Sequence, residues 1–155
     1  TGQGDGAVAP WALAFVGLLF VQIILGAFVA GTKAGFINND WPTLGGAWFP
    51  ADYLALTPWW QNFAGNLVTI QFNHRVMGYL VAAAALVLWA KSLRSKDATV
   101  RSLGAWTGLV VLVQVGLGIA TLMAAVPLSL GLIHQALACV LLGLALLTLR
   151  AARPA

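Results

Sequence analysis

Leu67–Ala90 reads LVTIQFNHRVMGYLVAAAALVLWA, and this stretch decides the fold. At ~1.5 Å per residue a helix of this length crosses a ~30 Å hydrocarbon core. Inside the apolar run sit Gln71, Phe72, Asn73, His74 and Arg75. An arginine at the centre of a membrane helix costs ~2.5–3.5 kcal/mol on insertion scales, so groups of this kind at depth are kept for a task. The other histidine, His134, stands near the start of a second apolar run.

Composition agrees with a membrane setting. The 155 residues are 61% hydrophobic and 8% charged, whereas a soluble domain carries about 25% charged residues. A net charge of +4 does not imply nucleic acid, because the basic residues gather in short connections and leave no soluble basic face. The single cysteine, Cys139, excludes an internal disulfide and reads as a buried packing residue. The sequence contains no glutamate.

The expected architecture is all-α: an integral membrane four-helix bundle over residues 11–150, with spans at about 11–31, 67–90, 103–126 and 128–149. Residues 1–10, small and Gly-rich, read as a linker or ragged N-terminus, and 151–155 as a C-terminal tail. Pro127 forces a tight connection before the last span. Six of the eight Lys and Arg (Lys91, Arg94, Lys96, Arg101, Arg150 and Arg153) fall after span two or span four. Both termini are therefore expected on the cytoplasmic or matrix side, with the long 32–66 loop outside. The loop's Trp41, Trp48, Trp59, Trp60 and Phe63 fit an interfacial belt, or a lid over a cofactor edge. Thr57-Pro58 predicts a short surface helix, with threonine as N-cap and proline in its first turn.

A weak repeat links the two halves. Val21-Gln22-Ile23-Ile24-Leu25-Gly26 matches Val113-Gln114-Val115-Gly116-Leu117-Gly118 as V-Q-x-x-L-G, and each copy precedes an inward span with a histidine. His74 and His134 then lie at one depth, roughly 10 Å inside the outer end of their spans at ~1.5 Å per residue. Two imidazoles at matched depth in a bundle are the donor set for a porphyrin iron. A nonheme metal would want three or four protein ligands, and the spans offer no carboxylate or thiolate at that level. An iron closed on both faces relays electrons rather than activating dioxygen. Arg75 is a partner for a propionate, or else snorkels to the head groups. Gln22, Gln71 and Gln114 could orient the imidazoles or merely bond helix to helix. No catalytic residue set is present: there is no Ser/His/Asp arrangement, phosphate loop or carboxylate pair.

The segments QIILGAFVAGTKAG, NNDWPTLGGAWFP, QFNHRVMGYL and QVGLGIATLM followed by PLSLGLIHQAL, in this order and spacing, resemble the heme A synthase family, specifically its C-terminal four-helix half in the alphaproteobacterial and mitochondrial branch. That family oxidises a methyl group of heme O to the formyl group of heme A. The resemblance implies a heme b held by His74 and His134, and localisation in the bacterial plasma membrane or the mitochondrial inner membrane. It also implies a partner: an N-terminal catalytic half, in the same or a separate chain, that binds heme O and carries E-x-x-H-R. Here Gln71 stands where that half has glutamate, so this chain looks like the cofactor half alone. The other readings are a free-standing b-type electron-transfer cytochrome and a non-catalytic assembly subunit. A homo-oligomer of two bundles would imitate the two-half enzyme.

Overall fold

A computed structural model describes residues 5–153. Among them the regular structure is helical: α1 (Ala9–Thr32), the single turn α2 (Asn62–Gly65), α3 (Leu67–Ser92), α4 (Ala98–Met123) and α5 (Leu128–Ala152). The four long helices are each long and apolar enough to cross a membrane. Their ends follow from local chemistry. Pro10 occupies the first turn of α1, where a missing N–H costs nothing. Asn66 caps α3 by accepting from the Thr69 N–H at 3.1 Å. Asp97 caps α4 through Oδ1, which accepts from Thr99 and Val100 N–H at 2.8 and 3.3 Å.

Several boundaries differ from those read off hydropathy, among them the last: α5 continues to Ala152, past the expected 149 and into the expected 151–155 tail. Helix α4 starts at Ala98 rather than 103, because the Asp97 cap begins the helix while its first turn is still polar. It stops at Met123 rather than 126, since Ala125 and Val126 take left-handed φ values of 58° and 56° to reach Pro127. The segment expected as a 1–10 linker is partly structured: Val8 is buried, and the Asp5 N–H bonds the Ala152 carbonyl at 2.9 Å. Residues 1–4, and 154–155 of the expected tail, lie outside the described residues.

Helix α1 packs on α3 and α5, and α4 packs on the same two, so the four form a ring with α3 diagonally across from α5. The contiguous apolar core lies in the half of the ring near the chain termini, with Ala34, Leu44 and Ile70 buried apart from it at the loop end. In the terminal half Ala12, Phe15 and Leu19 meet Val81, Ala85 and Leu88, with Val111, Leu141, Ala145 and Leu149 closing the ring. The spacings of three and four residues place each set on one helix face. Lipid supplies no hydrophobic drive between helices, so close packing through small residues must do it. The α3–α4 seam shows this: Gly104 lies against Ser92, and a Cβ at Gly108 would stand 2.6 Å from the Trp89 ring. Leu13, Phe20, Leu80, Leu86 and Leu147 point outward, as a lipid-facing surface requires.

The long loop is organised by polar side chains. Asn62, fully buried, exchanges bonds with the Leu56 N–H and carbonyl at 2.9 Å each. The cap expected of Thr57 is not made. Pro58 itself precedes a 3-10 turn at Trp59–Gln61, with no side-chain cap. Asp40 closes a second turn, its carboxylate accepting from the Thr43 hydroxyl and the Gly45 and Gly46 N–H groups at 2.7, 2.9 and 3.0 Å. The Gly46 and Gly45 N–H groups, with Thr43, hold that carboxyl well below the usual range, so it stays ionised. Trp48, Trp59 and Trp60 are 76, 62 and 60% exposed, which favours interfacial anchoring over a lid.

Candidate functional site

His74 and His134 stand on α3 and α5, the diagonally opposed helices, both in the half of the bundle that the apolar core leaves free. Each ring rests against a glycine of the neighbouring helix. A Cβ at Gly26 of α1 would lie 3.2 Å from His74 Cε1, and one at Gly118 of α4 would lie 2.9 Å from His134 Cε1. The two glycines are the closing residues of the V-Q-x-x-L-G copies, so the repeat has a three-dimensional counterpart. The glutamines four residues earlier also reach the histidines, though differently. Gln22 Nε2 lies 3.5 Å from His74 Nε2, at the limit of a hydrogen bond. Gln114 Nε2 instead donates to the His134 backbone carbonyl at 2.9 Å.

What is left unpaired is equally informative. Nδ1 of both histidines and Oε1 of both glutamines are buried without a hydrogen-bond partner. A buried polar atom left so costs about 1–3 kcal/mol, and the orphans on the two rings match in atom and environment. Among the described residues no cluster of three or more His, Cys, Asp or Glu forms. The residues here that could hold a metal are the two imidazoles, a pair suited to one that brings its own equatorial ligands.

Gln71 and Arg75 lie on the same helix as His74 but work on the loop. Arg75 Nη1 donates to the carbonyls of Asp40 and Thr43 at 2.9 and 2.6 Å, and Nη2 to that of Asn38 at 3.1 Å. Gln71 Nε2 donates to the same Asn38 carbonyl at 2.9 Å. Asn39 ties the loop to the end of α4 by donating to the Leu122 carbonyl at 3.0 Å. The guanidinium therefore does not snorkel; carbonyls of the chain replace water around it. Its Nε is buried and unpartnered. Trp41, Trp48, Phe72, Val76 and Tyr79 line a cavity of about 290 Å³ beside Arg75. At 100° per residue, Phe72, Val76 and Tyr79 occupy the side of α3 away from His74. Cys139, expected to be buried, is exposed on α5 beside Val140, on a lipid-facing stripe. Sequence reasoning missed the seating role of Gly26 and Gly118 and the loop carbonyls that receive Arg75.

Fold and site together define an integral membrane helical bundle with one histidine on each of two opposed helices. The chain belongs to the COX15-CtaA family, described as cytochrome oxidase assembly protein, whose model matches residues 2–146. It is 48% identical over 137 residues to the heme A synthase of Caulobacter vibrioides, an alignment covering 87% of this chain and 40% of that protein. Identity to the heme A synthase of Paracoccus denitrificans is 42% over 134 residues, or 85% of this chain and 35% of the relative. The heme A synthase of Rhodospirillum centenum is 41% identical over 150 residues, covering 96% and 40%. The chain thus spans about two fifths of the length of these relatives, matching their C-terminal part. No solved structure matches it significantly. It is a multi-pass protein of the bacterial plasma membrane.

Proposed function

We propose that this chain is the heme b-carrying half of a heme A synthase, in which His74 and His134 would hold the heme iron. The carrying observation is the pair of imidazoles on diagonal helices, each seated on a glycine and each with a buried, unpaired Nδ1. Those orphans and glycine seats fit an iron porphyrin. When bound, the heme would supply one-electron chemistry without an open site for dioxygen. Gln22 restrains the His74 ring, and Gln114 fixes the His134 backbone. Three of the N–H groups of Arg75 are spent on loop carbonyls, and its Nε–H remains as a donor for a propionate. Gln71 keeps an unpaired Oε1 and anchors the loop rather than an imidazole. The basic connection 91–101 supports placing both termini on the cytoplasmic side.

The oxidation of heme O belongs, in this reading, to an N-terminal half in the same or a separate chain. An amide at Gln71 cannot accept a proton as a carboxylate base does. The purified chain given heme O, a reductant and dioxygen is expected to form no heme A, and adding an N-terminal half to restore turnover. Heme A formation by this chain alone would overturn the division of labour.

A further inference from the structure

We infer that Gly26 and Gly118 are positioning residues that set the planes of the two ligand imidazoles, Gly118 the more tightly. The inference rests on the heme reading and adds what the residues around the ligands must be.

Glycine in a helix interior costs about 1 kcal/mol relative to alanine, so each one needs a reason. For several glycines of the spans none is visible in their surroundings: a Cβ at Gly17, Gly31, Gly116, Gly131 or Gly143 would meet nothing within 4 Å. Gly104 and Gly108 serve the close α3–α4 contact through Ser92 and Trp89. Gly26 and Gly118 differ from both groups, because all three of the nearest atoms to their added Cβ belong to a histidine ring. At Gly26 these are Cε1, Nδ1 and Nε2 of His74 at 3.2, 3.7 and 4.0 Å. At Gly118 they are the same atoms of His134 at 2.9, 3.5 and 3.5 Å.

An imidazole has only two side-chain torsions, and its plane follows whatever wall it leans on. A methyl group at Gly118 would enter the space of Cε1, so the His134 ring must turn or withdraw. At Gly26 the intrusion is smaller and the His74 ring need yield only slightly. The amides do not set this order: Gln22 touches the His74 ring itself, whereas Gln114 bonds the His134 backbone carbonyl and leaves that ring to its glycine wall.

The test is to change each glycine to alanine in the heme-loaded chain and record heme content, the low-spin ferric EPR signal and the reduction potential. Gly118→Ala is expected to weaken heme retention by about 10–100-fold, the range seen when a group that orients a metal ligand is removed. Gly26→Ala should keep its heme but shift the EPR signal and the potential. Gly116→Ala and Gly17→Ala, on the same two helices, should match the unaltered chain in all three readouts at equal helicity. If Gly118→Ala does not accumulate, Gly26→Ala against Gly17→Ala carries the comparison. Glycine variants indistinguishable from these controls overturn the inference. Failure of the heme reading looks different: His74→Ala and His134→Ala would then leave the spectrum of the chain unchanged.

Discussion

The two ends of this bundle are built on opposite rules. Toward the termini, Phe15, Leu88, Leu141 and Ala145 are essentially fully buried, and glycines bring α3 and α4 into contact. Toward the outer loop, the side chains between helices are Gln22, His74, Gln114 and His134, with four buried polar atoms left unpaired. The first end is closed by packing, with Trp89 Nε1 and Ser92 Oγ its unpaired atoms, whereas the second gathers two imidazoles and two amides that each keep an open atom.

The comparison breaks first, and most severely, if stability does not reside where the packing is. Phe15→Ala should cost about 3–5 kcal/mol, the usual range for emptying a buried aromatic site. Ile24→Ala on the lipid face should stay within about 0.5 kcal/mol. Equal thermal shifts for the two would dissolve the distinction between the ends.

A local effect, read at one loop position, sharpens the outer end. Cysteines at Ala47 and Lys96 should label from opposite sides of the membrane, Ala47 from outside. Arg75→Leu in the Ala47→Cys background removes three charged hydrogen bonds to the loop. Such bonds are worth about 1.5–3 kcal/mol each, so losing even one opens the loop about tenfold or more. Labelling at Ala47 should accelerate accordingly, with the helical content unchanged. An unaltered rate would mean that the loop is held from elsewhere, with Asn39 and Asn62 the next anchors to test.

Much of this was legible in the chain alone, and the limits have physical causes. Spans are written in composition, because lipid demands apolar side chains over a fixed length. The depth of His74 and His134 follows from helical rise. Helix ends were misjudged where a cap decides them, as at Asp97, since a single side chain leaves almost no trace in a hydropathy average. The diagonal placement of α3 and α5 depends on packing order, which apolar periodicity does not encode. The charge of Arg75 points to a propionate or to head groups, yet its partners are main-chain carbonyls more than thirty positions away, and a carbonyl carries no residue signature. Gly26 and Gly118 were visible in the repeat but looked like any other small residues of a membrane helix. Only the ring lying against each one separates them from Gly17 and Gly116.

On the proposal made above, His74 and His134 together hold one iron porphyrin. The most direct measurement is the reduced-minus-oxidised absorption spectrum of the purified chain and of its His74→Ala and His134→Ala variants. The account predicts a low-spin b-type spectrum in the unaltered chain, and its loss, or a marked fall in heme content, in each variant. A full low-spin complement in both variants would contradict it.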